Sequence, residues 1–103
     1  MLLSRGIQEF ITYMQLTDRS RQTIIGYRKE LTYFDNFLSI KYNCPMYIDD
    51  IELKDIEDYF LNQKMRDIAS SSRNRSIYIL RSFYNYCIKK DIVKKNIAAL
   101  VEP

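Results

Sequence analysis

Asn74, Tyr78, Arg81, Asn85 and Lys89 follow one another at intervals of three or four residues. On a helix they fall on one narrow strip. Ser72 and Arg73 precede the strip, and Arg75 and Ser82 widen it. From Ser71 to Lys90 there are five basic residues and no acidic one. The chemistry on offer is recognition rather than reaction. Arg and Asn can make paired hydrogen bonds to base edges. Lys, Ser and Tyr can fix position through phosphate oxygens. Unbonded amides near Ser71 and Ser72 could also hold a phosphate. Such an element suits a DNA major groove, and it equally suits an ordinary solvated helix face. A second polar cluster, Arg21, Gln22, Thr23 and Arg28 behind Ser20, carries the same two readings. If both helix starts point the same way, they form a basic cleft able to clamp a duplex.

Several other chemistries are excluded by residue type. The chain has no His, so a Ser-His-Asp triad and a His-containing metal site are both impossible. Its two glycines, Gly6 and Gly26, make no phosphate loop. Cys44 and Cys87 form no close ligand pair and read as reduced, structural residues of a cytosolic protein. Six acidic residues lie between Asp49 and Asp58. They suit the start of a helix, where negative charge is favoured, better than an acid/base pair. The phenols have an ordinary pKa near 10 and sit among scattered cations, so none is assigned as a nucleophile. No cofactor is expected, and no catalytic residue.

Four helices are needed to position these groups. Ser4 is placed as the cap of a first helix reaching Leu16, with Ile7, Phe10, Ile11 and Met14 on one face. Ser20 caps a second helix over about 21–40, with an apolar stripe of Ile24, Tyr27, Leu31, Phe34 and Leu38, widened by Phe37. Gly26 costs this helix roughly 1 kcal/mol relative to Ala. It marks either a close approach or a tolerated surface site. Residues 41–51 form a connector, with Pro45 disfavouring helix at Cys44. A third helix begins near Leu53, with Ile56, Phe60 and Tyr59 inward. Its acidic first turns would repel phosphate and should face away from DNA. The cluster Ser70, Ser71 and Ser72 supplies caps for a fourth helix reaching about Lys90. Its apolar stripe is Ile77, Leu80, Tyr84, Cys87 and Ile88, with Phe83 at the edge. In the tail, residues 96–100 could make one helical turn.

The chain of 103 residues is enough for one domain. A net charge of +3 is mild, but it is segregated along the sequence. No apolar run approaches the roughly 18 residues of a membrane helix, and no signal peptide opens the chain. The reading is all-α, with no membrane partner.

In its ordered motifs the sequence resembles the N-terminal core-binding domain of tyrosine recombinases, the phage-integrase and Xer-like group. The residues that carry the resemblance come in three groups. The first is Phe10 to Tyr13, then Ser20, Thr23, Ile24, Tyr27, Leu31, Phe34, Phe37 and Leu38. The second is Ile51, Ile56, Tyr59 and Phe60. The third is Ser72 through Arg75, then Ile77, Leu80, Arg81, Ser82, Phe83 and Tyr84. The tail from Ile92 through Asn96 is also similar, although Ile97 stands where Pro often follows the Asn. The resemblance implies a four-helix SAM-like bundle with a short C-terminal helical turn, forming half of a C-shaped clamp on recombination-site DNA. Residues 1–91 would be the DNA-binding domain. Residues 92–103 would lead to a C-terminal catalytic domain carrying Arg, Lys, His and a nucleophilic Tyr. The second and fourth helices would cross the major groove, which nominates Thr23, Tyr27, Arg28, Ser72, Arg73, Asn74, Arg75 and Arg81. Tyr27 also falls on the core stripe and is set aside; the others, with Arg21, Tyr78 and Lys89 from the helix faces, are the expected DNA contacts. The resemblance also implies that the parent recombinase assembles as a tetramer on DNA. The rival readings are a helical interaction bundle without DNA affinity and a stand-alone DNA-binding regulator.

Overall fold

A computed structural model describes residues 1–102. They hold four α-helices, α1 (Leu3–Leu16), α2 (Arg21–Tyr42), α3 (Leu53–Met65) and α4 (Ser70–Lys89), and two short 3-10 turns, Ile48–Asp50 and Ile97–Leu100. No strand occurs among the described residues, only an isolated antiparallel bridge between Leu2 and Tyr47. The fold is all-α, as the periodicity predicts. The chain divides into two compact units, one spanning Met1–Asp49 and the other beginning at Asp50.

In the first unit α1 packs against α2. Ile7, Phe10, Ile11 and Met14 are buried along one face of α1, and Tyr27, Leu31, Phe34 and Leu38 along one face of α2. Ile24 and Phe37 are only half-buried. Tyr27 belongs to this core, its ring 6.2 Å from that of Phe10. This is the core position that its place in the apolar stripe predicts. Ser4 does not cap α1. The cap position is Leu2, and the first helical amide, that of Leu3, donates to the Met46 carbonyl at 2.9 Å. A tertiary contact thus satisfies a donor that a capping side chain would otherwise take. Ser20 does cap α2. That helix runs two residues past its expected end, into the predicted connector.

In the second unit α4 packs on α3, and the turn Ile97–Leu100 packs on both. Ile56 and Tyr59 of α3 are buried, and Phe60 is half-buried. On α4 the buried surface is wider than the expected stripe. Phe83 lies at its centre rather than its edge, Ile79 and Tyr86 are buried as well, and Ile88 is exposed. The helical turn expected over 96–100 forms, capped by the Asn96 side chain accepting from the Ala99 amide. Ser70, Ser71 and Ser72 are not caps. They lie within the first turn of α4, and the cap position falls on Ala69, whose methyl group offers no acceptor.

All four helices end in the same way. The residues Asp18, Asn43, Asp67 and Asp91 adopt positive φ, between 55 and 60°. After each, a backbone amide reaches back to the last turn: Arg19 to Met14, Cys44 to Ser39, Ile68 to Gln63 and Ile92 to Cys87. This is the six-to-one closure usually built on glycine. Here Asn and Asp serve, being the side chains that best tolerate the left-handed region.

Candidate nucleic-acid interface

The turn between α1 and α2 builds the first candidate surface. Thr17 closes α1, its hydroxyl donating to the Tyr13 carbonyl at 3.1 Å. The left-handed Asp18 then reverses the chain and carries Arg19 back over the helix end. Ser20 accepts from the Thr23 amide at 3.1 Å and donates to the Thr23 hydroxyl at 2.8 Å. Thr23 is therefore half-buried and engaged in the cap. Arg19, Arg21 and Arg28 are all exposed and line one open depression with Gln15, Asp18, Ile24 and Ile25. Arg28 also reaches Gln8 Oε1 at 3.4 Å. Three guanidinium groups against one carboxylate make this surface positive. The first turn of α2 has no acidic residue, so its outward amides add to that field. Arg19 is not among the contacts that the sequence predicts. Its signal is local: an Asp at a helix end followed by Arg places that Arg on the six-to-one closure.

The start of α4 is the second surface. Because Ala69 cannot cap, the first amides of the helix have no side-chain acceptor, and no acidic residue occupies the first turn. Ser72, Asn74 and Arg75 are exposed, and so is Tyr78, at 62%. Arg73 is half-buried and donates from Nε to the Ile68 carbonyl at 3.3 Å. It ties the helix start to the loop that follows α3. Lys89 is exposed at the far end of the helix.

Arg81 departs from the expected outward strip. It is half-buried, and its guanidinium donates to the carbonyls of Ala98, at 3.4 Å, and Val101. Asn96 returns the contact, donating from Nδ2 to the Arg81 carbonyl at 3.1 Å and to Asn85 Oδ1 at 2.8 Å. The strip is thus divided. Its first half, from Ser72 to Tyr78, is open, and residues 96–101 lie against Arg81 and Asn85 in the second half.

No cluster of metal-ligating side chains occurs among the described residues. Neither Cys44, which is exposed, nor Cys87, which is buried, is in a disulfide. No helix among the described residues is long and apolar enough to cross a membrane.

Four helices followed by a short helical turn make an all-α module consistent with a SAM-like helical bundle. Residues 7–91 match the phage integrase N-terminal SAM-like domain, and the chain belongs to that family. Its relatives are longer proteins. The tyrosine recombinase XerC of Lacticaseibacillus casei is 32% identical over 101 residues, covering 95% of this chain and 33% of that protein. XerC of Leptospira interrogans serovar copenhageni is 32% identical over 96 residues, 91% of this chain and 30% of its own. XerC of Bacillus licheniformis is 27% identical over 93 residues, 89% of this chain and 30% of its own. The chain therefore spans about a third of the length of these curated relatives. No solved structure matches it.

Proposed function

We propose that this chain is the module by which a tyrosine recombinase or integrase binds and positions its recombination-site DNA. The observation that carries the reading is the start of α4. Ser72, Asn74, Arg75 and Tyr78 are exposed there beside uncapped amides, with no carboxylate in the first turn. Arg75 and Asn74 would read base edges, and Ser72, Tyr78 and the helix amides would hold phosphates. The Arg19, Arg21 and Arg28 surface at the start of α2 would contribute further phosphate contacts, and Lys89 would extend the footprint at the end of α4. Arg73 and Thr23 would act mainly by shaping the helix starts on which these contacts stand.

In this reading the strand cleavage and exchange belong to a separate catalytic domain of the parent recombinase, which would tetramerise on DNA in the cytoplasm. The membership in a recombinase family and the names of the relatives support that division of labour.

The test is duplex binding as a function of salt for the unaltered chain, R75A, and an R19A/R21A/R28A triple variant. Removing one cation from a phosphate should lower the salt slope by about 1. Identical binding by all three proteins, or binding indifferent to salt, would sink the reading.

A further inference from the structure

Residues 96–101 form a short turn of the backbone that has little means of holding itself in place. A single 3-10 turn of four residues is far below the length at which a helix is stable alone. Two apolar anchors, Ala98 and Val101, are buried, but apolar contact is non-directional. What gives the segment a fixed orientation is a reciprocal pair of polar contacts with α4. Arg81 reaches out from the helix and donates to two carbonyls at the end of the turn, Ala98 and Val101. Asn96 reaches back and donates to the helix carbonyl of Arg81 itself and to the side chain of Asn85. The same Asn96 accepts from the Ala99 amide through Oδ1 at 3.1 Å. One residue at the start of the turn and one on the helix therefore bind its backbone at both ends. A positive group at the carbonyl end of a helical turn is also electrostatically favoured.

We infer that Arg81, Asn96 and Asn85 form a latch that fixes the path of the chain through residues 96–101 on α4, with Arg81 acting as a positioning residue and not as a DNA contact. The inference rests on the DNA-binding reading only for its purpose. A segment held rigidly on the DNA-facing helix keeps the chain that follows α4 in register with the DNA that α4 grips. The geometry of the latch itself is independent of any ligand.

The test uses the whole chain without DNA, so it is separate from the salt titration above. A spin label is placed on Glu102→Cys in a Cys44→Ser background, Cys87 being buried. Its broadening of amide signals is then mapped by NMR. In this parent the broadened amides should form one compact set, on α4 around Arg81 and Asn85 and on the adjoining part of α3 that the turn also touches. N96D keeps the Oδ acceptor for the Ala99 amide but removes the donor to Arg81 and Asn85. R81A removes the guanidinium that donates to Ala98 and Val101. Both variants should weaken and spread the broadening. Both should also speed exchange of the Ala99 and Val101 amides about five- to tenfold, the effect of removing roughly one hydrogen bond. The slowest amides of Leu80, Phe83 and Tyr84 should be unchanged. Retention of the compact pattern in N96D would overturn the latch. Loss of protection throughout α4 in R81A, with N96D unaffected, would make Arg81 a general stability residue and overturn it equally. A spread pattern in the parent would do the same.

Discussion

The amide of Glu52 donates to Oδ2 of Asp55 across 3.0 Å, and the Glu52 carboxylate accepts in return from the Asp55 amide. Two acidic residues three apart thus satisfy one another's backbone at the start of α3, as a capping box does. Asp55 is 2% exposed, so much of the negative charge in this run serves the fold. Lys54 and Asp58, 3.4 Å apart, add an exposed pair one turn on. Asp55→Ala should lower stability by about 1–2 kcal/mol, read from the midpoint of urea unfolding. Glu57→Ala, which lies outside the box, should stay within about 0.5 kcal/mol. Equal effects of the two would show that the box is not what the acidic run provides.

Arg73 and Arg75 are neighbours with different work. Arg73 is half-buried on the Ile68 carbonyl, whereas Arg75 is exposed. Arg73→Ala should cost about 1 kcal/mol of stability through the missing hydrogen bond. Arg75→Ala should leave the unfolding midpoint unmoved while reducing duplex affinity. Thermal melts and salt titrations on the same two proteins would separate these roles.

Asp67 ends α3 at φ 58°, a region that glycine enters without the Cβ clash. Asp67→Gly should be neutral or stabilising by up to about 0.5 kcal/mol, since its greater freedom in the unfolded chain offsets part of the gain. Asp67→Ala should be destabilising by about 1 kcal/mol. Chemical denaturation of both variants checks the order, and a more stable Ala variant would contradict the left-handed closure.

Tyr84 is 1% exposed, and its hydroxyl has no protein hydrogen-bond partner. Burial holds its phenol well above the usual tyrosine range, helped by the nearby Cys87 and Asp55. The folded state therefore retains a proton that the unfolded chain gives up near pH 10. A raised pKa contributes stability that is complete below that value and is lost as pH rises beyond it. Tyr84→Phe should be neutral or stabilising by about 1 kcal/mol at pH 7, because it removes an unpaired buried hydroxyl. Between about pH 9 and 11, around the ordinary phenol pKa, the parent should lose more stability than the variant. Parallel unfolding curves across that range would contradict the burial of the phenol.

Local rules made much of this molecule legible. The stripe Ile7, Phe10, Ile11, Met14 and the stripe Tyr27, Leu31, Phe34, Leu38 follow from helical spacing alone, and both are buried. The cap at Ser20 and the turn after Asn96 rest on contacts within four residues, and both form. Tertiary contacts decided the rest. Ser4 has no cap role because Met46, far along the chain, supplies the acceptor for the first amide of α1. Ile79 and Tyr86 lie off the periodic stripe, yet they are buried because α4 is covered around more of its circumference than one stripe requires. Arg81 reads as an outward cation until a segment fifteen to twenty residues away presents its carbonyls. Spacing along one helix determines which side chains share a face. Which partner meets that face depends on where distant residues return, and only the folded chain specifies that.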